Sequence, residues 1–208
     1  MNKKDIVNSF FTNKQITDGL KNDSIDGSGI MESVTDIIGS KISKFIYDKF
    51  NLNEFEETLI LDVGCGQGFL VKNLNELPNV TAYGFEGSGD LLPHFKSENI
   101  CVLDIGGNIP KELNKLFKIS TSFEMMEHIP MDSQKKVWDN LRFLSDYHVC
   151  SIHKCPPSHE IHPTILTNQE WCNFFKENNI EVVEEVPQSI WNEQCAEWQC
   201  SFYFILKF

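Results

Sequence analysis

The stretch that most constrains this chain is Leu59–Val71, which reads Leu-Ile-Leu-Asp-Val-Gly-Cys-Gly-Gln-Gly-Phe-Leu-Val. A short apolar run reaches an acid, Asp62, and glycines follow at alternate positions, Gly64, Gly66 and Gly68. A segment with helical spacing of apolar residues starts directly behind them. Strand, tight glycine turn and helix start, in that order, build a nucleotide pocket at a strand's carboxyl end in open α/β sheets. Glycine serves where such a turn needs positive φ and where a ligand must approach the backbone closely.

The rest of the chain supplies a sheet around that turn. Short apolar runs predict strands at 59–63, 80–85, 100–103, 118–123, 147–152, 180–186 and 201–207. Helices are expected at 67–77, around Leu91, Leu92 and Phe95, behind Asp132 as N-cap, and behind a Thr167-Asn168-Gln169-Glu170 capping box. Strands alternating with helices imply a Rossmann-like α/β fold: a mostly parallel sheet with helices on both faces. The last two strands have no helix between them and are expected to pair antiparallel. Ahead of the sheet, Val34, Ile37, Ile38, Ile42, Phe45, Ile46 and Phe50 draw one helical stripe. Residues 1–32 read as a partly flexible N-terminal extension, with Ile6, Phe10 and Phe11 seeding a short helix and Asp26-Gly27-Ser28-Gly29 as a break. One domain, 33–208, carries the function.

Bulk properties remove several function classes. A formal charge of −12 repels a phosphate backbone, so nucleic acid is a poor partner. Seven cysteines without a C-x-x-C pair suit reduced thiols in a cytoplasm, and Cys195 with Cys200 lacks the second ligand pair of a zinc site. No apolar run approaches membrane-spanning length, and the N-terminus lacks a signal-peptide core. The expectation is a cytoplasmic protein with no membrane association. The sequence leaves its oligomeric state open.

The acids narrow the ligand. A nicotinamide fingerprint, G-x-G-x-x-G, needs glycine where Phe69 stands. Asp62 would repel a pyrophosphate, whereas a ligand carrying an ammonium and a sulfonium would welcome it. S-adenosylmethionine is such a ligand. Glu86 ends the next strand, where a carboxylate can accept both ribose hydroxyl protons. Asp104 ends the third, where it can accept from the adenine amino group while the Ile105 backbone N–H faces a ring nitrogen.

These residues resemble a known family, the class I S-adenosylmethionine-dependent methyltransferases of the broad small-molecule type. Leu61-Asp62-Val63-Gly64-Cys65-Gly66-Gln67-Gly68 is similar to its first motif, Glu86 and Asp104 to its second and third, and Ser122-Phe123-Glu124-Met125-Met126-Glu127-His128-Ile129-Pro130 to its fourth. The resemblance implies a seven-stranded sheet with an antiparallel last strand. It implies S-adenosylmethionine held by Asp62, Gly64, Cys65, Gly66, Gly68, Glu86, Asp104, Ile105 and Phe123.

For the acceptor, methyl transfer needs in-line alignment and, at oxygen, a base. His128 and His153 are the candidate bases, with Glu127 orienting; His159 and His162 follow in the next loop, while His94 and His148 read as structural. Glu124-x-x-Glu127-His128 with a downstream His162 also resembles the divalent-metal set of methyltransferases acting in ubiquinone biosynthesis and small-RNA 2′-O-methylation. Metal-free members carry a similar Glu-His pair that makes local hydrogen bonds, and that plainer reading is preferred to the metal. Trp191 and Trp198, in the long connection 187–200, cover an edge or wall the acceptor pocket. The expected activity is transfer of a methyl group to a small-molecule oxygen. The alternatives are a cofactor-binding subunit without turnover and a metal-dependent RNA 2′-O-methyltransferase.

Overall fold

The computed structural model of the chain describes residues 2–13, 30–154, 162–186 and 201–208. His159, the 26–29 break, and the 187–200 connection with Trp191, Cys195, Trp198 and Cys200 lie outside the described residues.

Seven strands form one sheet: β1 Thr58–Val63, β2 Val80–Glu86, β3 Ile100–Val102, β4 Phe117–Phe123, β5 Ser145–His153, β6 Glu181–Glu185 and β7 Ser201–Lys207. Their order is β3-β2-β1-β4-β5-β7-β6. The first five run parallel, and β7 lies antiparallel between β5 and β6. The expected antiparallel pairing of the last two strands is present, with β7 inserted inside the sheet and β6 at its edge. The strand order reverses at β1 and β4, so the crevice of this α/β sheet opens at their carboxyl ends.

Among the described residues five helices cover the two faces: α1 Lys3–Asn13, α2 Ile30–Lys49, α3 Phe69–Asn75, α4 Met131–Leu144 and α5 Asn168–Glu177. Ile38, Ile42 and Ile46 of α2 join Leu70, Val71 and Leu74 of α3 over Ile60, Ala82, Ile119 and Val149. On the other face α1, α4 and α5 meet Leu59, Leu61, Tyr83, Phe85 and Phe204. All six residues of β1 are buried, as expected for a parallel strand covered on both faces. Among the described helices none is long and apolar enough to cross a membrane.

Helix α1 has a specific packing role. The crossover from β3 to β4 carries only a single 3-10 turn, Lys111–Leu113, where a packed helix would ordinarily cover the sheet. Helix α1 covers that ground. Phe11 stacks on Phe85 with ring centroids 5.5 Å apart, and the Tyr83 hydroxyl donates to Asn8 Oδ1 at 2.6 Å. Val7, Phe10 and Phe11 are buried in the same core cluster as Leu113.

Two local expectations differ from the structure. Helix α4 starts at Met131, with Pro130 rather than Asp132 in the cap position. Proline presets the entry angle, and Asp132 falls in the first turn, where its charge still favours the helix dipole. The segment around Leu91 is a 3-10 turn, Gly89–His94, because Pro93 sits inside it. The Thr167–Glu170 capping box is present, with the side chain of each residue bonded to the other's backbone.

Candidate active site

The glycine turn sits in the crevice at the end of β1. Gly64, Gly66 and Gly68 have φ of 68°, 54° and 84°, the left-handed region that penalises side chains. Their surroundings differ. A Cβ on Gly68 would lie 2.0 Å from Ile100 Cδ1, and one on Gly64 2.6 Å from the Met125 side chain, whereas one on Gly66 would meet nothing within 4 Å among the described residues. Among the described residues Gly66 therefore borders open space. The N–H groups of Gly64 and Cys65 both donate to Phe85 O, at 2.8 and 3.1 Å. Cys65 Sγ fills the space beside Gly84, where a Cβ would come within 2.6 Å of it. Burial, followed by the charges of Asp62 and Glu86, raises the Cys65 thiol well above its usual range, so it is inert packing.

The three strand-end acids share this crevice and are each anchored. Asp62 is 4% exposed and accepts from Thr121 Oγ1 at 2.7 Å. Burial pushes its carboxyl up to about 7, the Thr121 bond opposes this, and the charge of Glu86 adds to it. Glu86 accepts the Gly66 N–H at 2.8 Å on one oxygen and the Ser88 N–H at 2.9 Å on the other. Asp104 is exposed and accepts the Gly106 N–H at 2.8 Å. The Ile105 side chain is buried, and Phe123, at the end of β4, packs against the α2–α3 side of the core.

Beyond β4 lies a second group. Glu124 has φ 52°, uncommon for a residue with a side chain. Its backbone N–H donates to Ser151 Oγ at 3.1 Å, and its carboxylate accepts from the same hydroxyl at 2.6 Å. The other carboxylate oxygen lies 3.1 Å from His153 Nδ1. The carboxylate that holds His153 is thus Glu124, not Glu127. Glu127 is 1% exposed; neither oxygen has a partner of full hydrogen-bond geometry among the described residues, although the backbone N–H groups of Glu127 and His153 and the Glu124 carboxyl approach it closely enough to shift its pKa. Burial first, then the charge of Glu124, raises its carboxyl well above the usual carboxylate range.

Three imidazoles surround these acids. The His128 and His162 rings are edge to face with centroids 4.5 Å apart, and those of His153 and His162 are 5.1 Å apart. Ligand atoms of Glu127, His128 and His162 all lie within 4.8 Å of one another, as do those of Glu124, Glu127 and His153. His162 Nδ1 is buried without a partner among the described residues, and its pKa is lowered by burial and by the other two imidazoles. Thr164 ties this segment down: its N–H donates to Glu127 O at 3.2 Å and its Oγ1 to Ile129 O at 2.6 Å.

His148 lies apart from this group. Both its ring nitrogens meet serine hydroxyls, Ser120 at 2.8 Å and Ser122 at 2.9 Å, and burial lowers its pKa to about 3. It is a neutral core residue, and His94 is exposed at the end of its turn. Sequence reasoning missed Thr121, Met125, Gln134, Asn140, Ser151 and Thr164. The run Ser120-Thr121-Ser122 inside a buried strand was a signal, because buried hydroxyls need partners.

No family model matches the chain, and no curated protein does. Solved structures do. A methyltransferase from Leishmania major superposes with TM-score 0.65 at 14% identity over 99% of this chain and 82% of that one. Magnesium protoporphyrin IX methyltransferase from Synechocystis, with bound S-adenosylmethionine, gives 0.63 at 13% identity over 100% and 97%. An S-adenosylmethionine-dependent methyltransferase from Clostridium acetobutylicum gives 0.61 at 15% identity over 81% and 91%. At such identities the likeness speaks for architecture: the chain has the fold of the class I S-adenosylmethionine-dependent methyltransferases.

Proposed function

We propose that this chain transfers the methyl group of S-adenosylmethionine to an oxygen of a small-molecule acceptor. The observation that carries this reading is the crevice itself. Three acids anchored at successive strand ends surround a glycine turn whose Gly66 faces open space, and Met125 joins that turn to the Glu/His cluster. In this reading Asp62 takes the ligand's ammonium, Glu86 the ribose hydroxyls, and Asp104 with the Ile105 N–H the adenine edge. Gly64, Cys65, Gly66 and Gly68 let the backbone approach, and Phe123 closes the pocket at the end of β4.

The acceptor oxygen attacks the methyl carbon in line with the carbon–sulfur bond. That bond breaks, sulfur keeps the electron pair, and the products are the methyl ether or ester and S-adenosylhomocysteine. The acceptor's proton goes to His153 Nε2, because Glu124 holds Nδ1. Holding the acceptor near the methyl group supplies much of the rate by orientation.

Glu127, His128 and His162 fit a divalent cation. A buried carboxyl flanked by a second acid, raised above the usual carboxylate range, would be held ionised by a counter-charge. The close grouping of these ligand atoms supports the cation, and the backbone N–H groups of Glu127 and His153 beside the carboxyl support the local hydrogen bonding read from the sequence. Such an ion would lower the acceptor hydroxyl's pKa. A metal-dependent RNA 2′-O-methyltransferase is the second reading, favoured by the same cluster and opposed by the −12 charge. Transfer of labelled methyl from S-adenosylmethionine to a panel of small hydroxylated compounds and short RNAs, with manganese or with EDTA, tests both. Labelling of a small hydroxylated compound supports the proposal. Labelling confined to RNA selects the second reading, and no transfer to any oxygen defeats both.

A further inference from the structure

Helix α4 carries two buried carboxamides, Gln134 at 0% and Asn140 at 6% exposure. Each donates to two backbone carbonyls of a loop beside the crevice, and the two loops differ. Gln134 Nε2 donates to Met126 O at 2.7 Å and Ile129 O at 2.9 Å, bracketing the turn that bears Glu127 and His128. Asn140 Nδ2 donates to Ile105 O at 2.6 Å and Gly107 O at 3.0 Å, in the loop behind β3. The Trp138 indole, buried between them, donates to Gln134 Oε1 at 3.1 Å.

The Asn140 bonds reach a reading group through one rigid unit. The carbonyl of Ile105 and the N–H of Gly106 belong to the same planar peptide. Asn140 holds the carbonyl end of that plane. Its N–H end donates to Asp104 Oδ1 at 2.8 Å. A second bond, Gly107 N–H to Asp104 O at 3.0 Å, closes the turn, and Asn140 holds the Gly107 carbonyl as well. Asp104 is exposed and has no other hydrogen bond from the described residues to fix its carboxylate.

We propose that Asn140 is a positioning residue for purine recognition, holding the Asp104 carboxylate, through the 105–106 peptide plane, where it accepts from a 6-amino group and repels a 6-oxo group. The proposal rests on the cofactor reading above and adds the residue that makes the crevice selective for adenine over hypoxanthine. A fixed acceptor rejects a mismatched ring because the two oxygens then face each other without a proton. A carboxylate free to rotate away loses that discrimination. Gln134 is the internal control: it is also a buried amide on α4 with two carbonyl partners, but it serves the other loop.

The test titrates S-adenosylhomocysteine and S-inosylhomocysteine into the full chain and reads the ratio of the two affinities. The wild-type protein is expected to prefer adenine by about tenfold or more, the scale of one well-placed hydrogen bond. Asn140→Ala should bring the ratio down to about two- or threefold, mainly by weakening S-adenosylhomocysteine. Gln134→Ala should keep the wild-type ratio. An Asn140→Ala protein with the wild-type ratio would overturn the proposal. So would a Gln134→Ala protein that loses the ratio equally, since the effect would then belong to α4 as a whole. Wild-type protein that binds both ligands equally well removes the assigned role of Asp104 and this proposal, and leaves the cofactor reading standing. Wild-type protein that binds neither ends both. If Asn140→Ala does not fold, Asn140→Ser removes the same two bonds with a smaller cavity and is read identically.

Discussion

On the donor side of the crevice each acid already has its hydrogen bonds: Asp62 from Thr121, Glu86 from the Gly66 and Ser88 amides, Asp104 from Gly106. On the acceptor side Glu127 is buried beside a second acid with no partner of full hydrogen-bond geometry among the described residues, only nearby backbone N–H groups, and three imidazoles crowd the two carboxyls. Backbone amides preorganise the first region, so a ligand meets a finished cradle. The second region carries a buried carboxyl that burial and Glu124 keep protonated, and a cation would favour its ionised form. The donor half should therefore respond to mutation through shape and stability, and the acceptor half through ion binding.

The largest expected effect comes from the donor side. Gly68→Ala places a methyl group against Ile100 at φ 84° and should cost about 3 kcal/mol of stability, from left-handed strain plus overpacking. Urea unfolding measures this. Gly66→Ala, with open space around it, should cost about 1–2 kcal/mol of stability by the φ term alone while weakening S-adenosylhomocysteine. Equal destabilisation by the two would show that the open space beside Gly66 is not a ligand site.

On the acceptor side Glu127→Gln should lower manganese affinity about a hundredfold, near 2.7 kcal/mol, by removing a charged ligand. The same change should leave the ion-free protein no less stable, since it replaces a buried carboxyl of raised pKa with a neutral carboxamide of the same shape. Paramagnetic relaxation of water gives the first quantity and thermal unfolding in EDTA the second. A Glu127→Gln protein that is much less stable in EDTA would mean that the carboxylate already has a partner in the chain.

How much of this was legible in the sequence follows the same division. The residues assigned to the donor half lie in one contiguous motif and two later strand ends, so alternation and glycine spacing are enough to single them out. The acceptor half is assembled from the end of β4, the end of β5 and the 162–164 segment. Its pairing depends on Glu124 having positive φ, which points that carboxylate at Ser151 and His153, and no residue-type rule gives φ 52° to a glutamate. The place of β7 between β5 and β6 is a matter of strand order, which local pattern does not contain. The core role of α1 was hidden because Val7, Phe10 and Phe11 are few, and their value depends on a crossover that lacks a helix.

A smaller effect separates the halves by pH. Asp62, raised to about 7, must be ionised to take an ammonium group, so affinity should fall as pH falls through that value. Between pH 8 and pH 6 the loss of S-adenosylhomocysteine affinity should be about tenfold. Asp62→Asn should bind more weakly at pH 8 and show a flatter profile, and an unchanged profile would assign the titration to the histidines instead. The smallest expected change is in Thr121→Val. Its lost hydroxyl no longer favours the carboxylate, so the midpoint should move up by about half a unit, in line with one net hydrogen bond.

The most direct measurement is calorimetric titration of S-adenosylhomocysteine into the full chain at pH 8, once in EDTA and once in manganese. A preformed donor cradle separate from the cation cluster should bind one equivalent with closely similar affinity in both buffers, and Asp62→Ala should abolish the heat. No binding in either buffer, or wild-type binding unchanged by Asp62→Ala, would contradict the placement of the methyl donor at the end of β1.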